Sequence, residues 1–275
     1  MPTKTKVRNM FDSIAGDYDA LNHILSLDVD KLWRKKALKQ IVDAPAPVQV
    51  LDLACGTGDF SIAIAKALSR SHKRVGTPIE AHVKAPAKAP VEAQVTSTGF
   101  VTGDSGRSDL MTKGHVTGVD LSEGMLAVMR EKVQKSGLTE MISIEEGDGE
   151  NLRFPDNTFD RVTIAFGIRN FEDRPKGLRE MLRVLKPGGR LVILELSRPE
   201  NKVIRWFYDL YFLHILPKIG GKVSGDKAAY AYLPASVAAF PGKKEFSATM
   251  REAGFRAVTH KAFTLGICRM YTGEK

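Results

Sequence analysis

The chain is 275 residues long, 43% hydrophobic and 27% charged, with a formal net charge of +9. That length suits one large domain, and the hydrophobic share is ample for a buried core. Two cysteines, Cys55 and Cys268, exclude a disulfide framework and agree with a reducing cytoplasm. The basic residues are scattered, with Arg34-Lys35-Lys36 the densest cluster, and no aromatic-interleaved basic stripe occurs. The charge therefore reads as a solvated surface with a weak pull towards anionic lipid, and nucleic acid is not expected as a partner. The nine residues before Met10-Phe11 carry no apolar core, so neither a signal nor a transit peptide is expected.

In chain order, residues 7–43 read as helical, with Leu21, Ile24, Leu25, Leu32, Ala37, Leu38 and Ile41 at helical spacing. Residues 48–54 form a strand that enters the turn Cys55-Gly56-Thr57-Gly58-Asp59, and residues 61–68 continue as a helix. Residues 71–114 include Ala85-Pro86-Ala87-Lys88-Ala89-Pro90-Val91-Glu92 and have no periodic apolar face. Such a composition buries too little apolar surface to offset ordering, so this insertion is expected to be a loop or largely disordered. The alternation resumes with a strand at 116–120, a helix at 122–135 capped by Ser122, and a strand at 142–146. A fourth strand at 159–166, a helix at 174–184, and a fifth strand at 190–196 after Pro187-Gly188-Gly189 follow. Residues 255–262 and 267–271 close the chain as a hairpin turning at Leu265-Gly266. Strands spaced by helical lengths imply an α/β fold, a Rossmann-like doubly wound parallel sheet with a terminal antiparallel hairpin.

The strand ends converge on the edge where such sheets bind ligands. Gly56-Thr57-Gly58 lets backbone lie against a ligand with no Cβ in the way, and Asp120 at the second strand tip can accept from both hydroxyls of a ribose. A dinucleotide fingerprint would place a third glycine where Ser61 stands. Asp52 and Asp59 around the turn would repel a pyrophosphate but suit an ammonium and a sulfonium. The D-x-x-x-G-x-G spacing of Asp52, Gly56 and Gly58 resembles motif I of the class I methyltransferases that use S-adenosylmethionine.

Three further blocks resemble the ubiquinone/menaquinone biosynthesis C-methyltransferase family over nearly the whole chain outside the insertion. Tyr18-Asp19-Ala20-Leu21-Asn22-His23-Ile24-Leu25-Ser26-Leu27-Asp28-Val29-Asp30-Lys31-Leu32-Trp33 is similar to Y-D-x-M-N-x-x-L-S-x-x-x-H-x-x-W, with Leu21 for Met and Asp30 for His. Phe166-Gly167-Ile168-Arg169-Asn170 is similar to F-G-[LI]-R-N. The run from Arg183 through Pro187-Gly188-Gly189 to Glu195-Leu196-Ser197 fits the family's second signature without a break. The resemblance implies a single methyltransferase domain with an N-terminal helical lid. It further implies methyl transfer from S-adenosylmethionine to a ring carbon of a prenylated quinol, giving menaquinol or, in some members, a ubiquinol precursor. The family's cofactor contacts carry over to Thr57, Asp120, Asp148 and Gly149, and its cofactor serine falls on Ala165, which keeps only backbone atoms for the task.

A quinol carbon becomes nucleophilic when its adjacent hydroxyl loses a proton, so a base and a cation near the ring are sought. Arg169 is the candidate for stabilising the phenolate, Asn170 for orienting the hydroxyl, and His23 for accepting the proton. Blander roles are an Arg169–Asp148 ion pair, an Asn170 helix cap and a structural His23. No metal is called for. Residues 203–219, rich in Trp206, Phe207, Tyr208, Tyr211 and Phe212, read as a lid over the ring, a membrane-interface element, or a core or homodimer helix. The leading reading is a cytoplasmic enzyme, peripheral at the inner membrane face. A small-molecule or RNA methyltransferase and a non-catalytic cofactor-binding scaffold are the rivals.

Overall fold

The computed structural model describes residues 3–16, 18–19, 28–43, 48–75, 114–211 and 227–275. Among the described residues, α1 (Lys4–Ile14) and α2 (Val29–Val42) lie ahead of the sheet, and residues 18–19 are also helical. Helices α1 and α2 are separate because residues 15–16 turn and Asp28 takes a left-handed φ of 61°. The segment read as helical over residues 7–43 holds most of α1 and all of α2, and residues 20–27 of it lie outside the described residues. Then follow β1 (Gln49–Leu53), α3 (Asp59–Val75), β2 (His115–Asp120), α4 (Glu123–Lys135), β3 (Ile142–Glu146), β4 (Phe159–Ala165), α5 (Arg174–Val184) and β5 (Leu185–Leu196). The chain continues through α6 (Lys202–Leu210), α7 (Lys227–Ala238), α8 (Lys243–Glu252), β6 (Arg256–Phe263) and β7 (Cys268–Glu274). The insertion expected over 71–114 falls largely outside the described residues.

Seven strands form one sheet in the order β3-β2-β1-β4-β5-β7-β6. Strands β1 to β5 pair in parallel, whereas β7 pairs antiparallel with both β5 and β6. Alternation along β5 shows how both faces are filled. Val192 and Leu194 join Ile41, Ile64 and Met129 from α2, α3 and α4, while Leu191 and Ile193 join Leu178, Met181 and Phe246 from α5 and α8. Strands buried on both faces tend to read as continuous apolar runs, which is why Leu191 through Leu194 of β5 stand out in the sequence.

Two of the strand limits that differ from expectation have a local cause in the backbone. Strand β4 ends at Ala165, because Phe166 adopts a left-handed φ of 63°, which leaves the extended region. Strand β5 begins at Leu185, before the Pro187-Gly188-Gly189 turn, which it carries as an irregularity. Leu185 pairs with Phe159, and the register resumes at Arg190 opposite Arg161. Ser122 caps α4 as expected, its Oγ accepting from the Met125 backbone N–H.

Candidate active site

The strand order reverses direction between β1 and β4, and in open α/β sheets ligands bind beyond the carboxyl ends of the strands at such a point. Both strands run into left-handed residues there, Ala54 (φ 48°) and Phe166 (φ 63°). A non-glycine residue in that region costs on the order of 1–3 kcal/mol, and such strain gathers at functional sites. It turns each chain sharply away and leaves a crevice.

The larger cavity in this crevice is walled by Gly56 after β1, Asp120 at the end of β2, Asp148 and Gly149 after β3, Ala165 at the end of β4 and Asn170 beyond it. Six sequence-predicted site residues thus meet on one wall. Helix α1 supplies the facing wall through Val7 and Phe11, joined by Tyr18. A smaller cavity shares Tyr18, Ala54, Gly56 and Ala165 with it and adds Asp19, Arg34, Asp52, Thr57 and Asp59.

Asp120 is held by two backbone donors, with Gly56 N–H on Oδ2 and Ser122 N–H on Oδ1, each at 2.9 Å. Both oxygens keep a further lone pair, which two vicinal hydroxyls can fill. Burial pushes this carboxyl up, against the backbone N–H groups of Ser122 and Gly56. Asp148 accepts from the Glu150 backbone N–H at 2.9 Å and from Lys4 Nζ at 2.7 Å. Lys4, not Arg169, is therefore the cation paired with Asp148, and it also reaches Glu150 at 2.9 Å. A Cβ on Gly149 would fall inside the Phe171 ring contact, so glycine admits that ring to the cavity wall.

The glycine turn is built for close approach. Gly56 has φ 55° and Gly58 φ 84°. Gly58 lines neither cavity but packs on Met129, whose Sδ would stand 3.0 Å from an added Cβ. Gly58→Ala is expected to cost about 2 kcal/mol through the left-handed backbone and the clash, read as a lowered thermal midpoint. A midpoint equal to wild type would contradict it. Thr57 is buried, and its hydroxyl donates to Asp19 Oδ1 at 2.5 Å. Cys55 packs on Met129, and burial beside Asp120 and Asp52 holds its thiol well above the usual range, so it is no nucleophile.

Asp52 is fully buried beneath the turn, accepting from Ser61 Oγ at 2.5 Å. Burial pushes its carboxyl up to about 7, against the Ser61 hydrogen bond and the charge of Arg34.

Arg169 lies on a short 3₁₀ turn, Ile168–Asn170, that follows β4. It is buried, and its ion-pair partner is Glu195 of β5, 2.8 Å from Nη1. The other Glu195 oxygen accepts the Arg169 backbone N–H at 3.1 Å, and Phe166 O also accepts from Nη1. Burial alone would lower this guanidinium, but Glu195 and the nearby phenols Tyr18 and Tyr232 outweigh it, so it stays charged. Asn170 does not cap α5. Asp173 does, accepting from Lys176 N–H at 2.8 Å, while Asn170 Oδ1 accepts from the Tyr232 hydroxyl at 2.8 Å. His23 lies outside the described residues. Where the family pattern has histidine, Asp30 is buried and pairs with Arg34 at 2.8 Å.

The sequence reading missed how α1 is fastened across the crevice. Besides Lys4 on Asp148 and Glu150, Asp12 accepts from Ser122 Oγ at 2.5 Å and from Gly124 N–H at 3.1 Å. Asp19 pairs with Lys132 at 2.6 Å. It also missed Glu195, although a lone carboxylate inside Leu191-Val192-Ile193-Leu194-Glu195-Leu196 is a visible signal.

The sheet order, the glycine turn after β1 and the acids at and after the ends of β2 and β3 define a class I S-adenosylmethionine-dependent methyltransferase fold. A solved S-adenosylmethionine-dependent methyltransferase from Thermotoga maritima is similar over 97% of this chain and 99% of that one, with a TM-score of 0.55 at 17% identity. The chain matches the ubiE/COQ5 methyltransferase family over residues 2–275 and belongs to it. It is 44% identical over 270 residues to a ubiquinone/menaquinone biosynthesis C-methyltransferase UbiE of Geobacter sulfurreducens, spanning 98% of this chain and 88% of the relative. It is 39% identical over 270 residues to a demethylmenaquinone methyltransferase of Bacteroides fragilis, spanning 98% and 92%.

Proposed function

We propose that the protein methylates a ring carbon of demethylmenaquinol, taking the methyl group from S-adenosylmethionine, in menaquinone biosynthesis. The observation that carries this reading is the pairing of a ribose-type acid, Asp120, with Asn170 on one cavity wall, backed by the buried cation Arg169. The cavity fits an adenosyl group: two acceptor oxygens on Asp120, a backbone approach at Gly56, and apolar walls from Val119, Met125 and Phe171. Bound there, S-adenosylmethionine supplies an electrophilic methyl on a sulfonium whose leaving group departs neutral.

The chain's own work is placement and charge. Asp120 would hold the ribose, Asp148 and Gly149 would border the base, and the backbone of Gly56 and Ala165 would face the sulfur end. With its oxygen committed to Tyr232, Asn170 offers its amide N–H₂ as the donor to a quinol oxygen. Arg169 cannot accept a proton, so its part is to favour the phenolate form of the ring. Holding the ring carbon about 3–3.5 Å from the methyl supplies much of the rate.

A prenyl tail brings the substrate to a bilayer, and α6 fits that setting. Val203, Trp206, Phe207 and Leu210 stand exposed at i, i+3, i+4 and i+7, so they form one apolar stripe and not a buried core helix. Among the described residues no helix is long and apolar enough to cross a membrane. The stripe would rest on anionic lipid at the inner face of the cytoplasmic membrane. Trp206→Ala with Phe207→Ala is expected to weaken co-sedimentation with phosphatidylglycerol vesicles by about tenfold or more. Unchanged sedimentation would remove the membrane contact.

Expression in a bacterium deleted for its own demethylmenaquinone methyltransferase tests the reading in cells. Menaquinone is expected to return in the lipid extract. Accumulated demethylmenaquinone, with the protein present and folded, would overturn it.

A further inference from the structure

We infer that Arg34 is the anchor for the α-carboxylate of the cofactor's amino-acid end, bound in the smaller cavity beside the glycine turn. The inference rests on the S-adenosylmethionine reading above and assigns a residue within that site.

The smaller cavity adjoins the larger one across Ala54, Gly56 and Ala165. With the ribose at Asp120 and the sulfur end at that shared wall, the remaining part of the ligand must enter the smaller space. That part is a zwitterion, an ammonium and a carboxylate on one carbon. The described wall holds three acids, Asp19, Asp52 and Asp59, and one cation, Arg34. The acids suit the ammonium. Among the described residues of this wall, Arg34 is the cationic side chain that can answer the carboxylate.

Its guanidinium is arranged for the task. Nη1 donates to Asp30 Oδ2 at 2.8 Å and faces Asp59 Oδ2 at 3.4 Å. Nε is buried and hydrogen-bonds nothing, which leaves an unmet donor on the opposite edge of the fork. The Nε and Nη2 edge of an arginine matches the two oxygens of a carboxylate. A buried donor without a partner is costly, and a bidentate ligand would relieve it. The plane is fixed from one side by Asp30 and from another by the Phe166 ring, 5.7 Å from the guanidinium carbon. Phe166 opens the F-G-I-R-N block, so one aromatic ring links the cofactor's amino-acid end to the turn that carries Arg169 and Asn170.

Calorimetric titration with two ligands isolates the contact. S-adenosylhomocysteine carries the amino-acid end, and 5′-methylthioadenosine lacks it. In Arg34→Met, S-adenosylhomocysteine is expected to bind about 10- to 100-fold more weakly than in wild type, with 5′-methylthioadenosine within about twofold. Arg34→Lys, which keeps the charge and loses the fork, is expected to fall between. Retained 5′-methylthioadenosine binding shows that the variant is folded. Equal losses for both ligands, or no loss for either, would overturn the assignment while leaving the cofactor reading intact. Failure of the wild-type chain to bind either ligand would overturn the cofactor reading and the Arg34 subsite with it.

Discussion

Arg169→Met is expected to lower kcat by about 10²–10³-fold, because Arg169 lines neither cavity and its part is the positive charge beside Asn170. It is also expected to destabilise the fold by about 3–5 kcal/mol, because Glu195 would remain buried without its cation. The two losses have different causes and can be separated. Glu195 accepts from the Arg169 guanidinium, the Arg169 backbone and the Leu196 backbone, so a neutral amide there keeps an acceptor and sheds the charge. The double variant Arg169→Met with Glu195→Gln should regain much of the stability, read by urea denaturation, and none of the turnover. Turnover restored in the double variant would show that Arg169 serves the fold and not the reaction.

The second large effect is a trade of stability against cofactor binding at Asp52. Its carboxyl sits at about 7 in the fold, where burial opposes the charge, and near 3.9 in an unfolded chain. The folded protein therefore holds a proton that the unfolded chain releases across that interval. Wild-type stability should fall as pH rises from about 4 to about 7 and level off above, by about 4 kcal/mol in all. Asp52→Asn has the same shape and does not titrate. Near pH 4 it should match wild type, and at pH 8 it should be markedly more stable in denaturant unfolding. The same change removes a carboxylate from the wall of the smaller cavity, so S-adenosylhomocysteine should bind about 10- to 100-fold more weakly. A variant equally stable relative to wild type at both pH values would show that Asp52 is not held neutral by burial.

The parallel core was legible because its strands are buried on both faces. Leu191 through Leu194 give an apolar run, and Val50 through Leu53 one broken only by Asp52. The strand tip at Asp120 was legible because an acid ends a buried strand there, whereas Asp148 follows the half-exposed edge strand β3 and was placed by the family resemblance. Phe166 was read as strand because its aromatic side chain suits one, and the left-handed φ is set by the turn that follows it. Asp12 on Ser122, Lys4 on Asp148 and Glu195 on Arg169 join residues 110, 144 and 26 positions apart, a pairing that no local pattern reports. Arg34 was hidden in another way. Within Arg34-Lys35-Lys36 it read as solvated surface, and only the fold turns it inward onto Asp30 and the glycine-turn cavity.

Labelled-methyl transfer from S-adenosylmethionine to a short-chain demethylmenaquinol under reducing conditions, with the corresponding benzoquinol run alongside, tests the assigned reaction most directly. The expected result is label on the ring carbon of the naphthoquinol, retained in the wild-type chain and lost in Arg169→Met with Glu195→Gln. No label on either quinol, from a chain that binds S-adenosylhomocysteine in the same buffer, would contradict it.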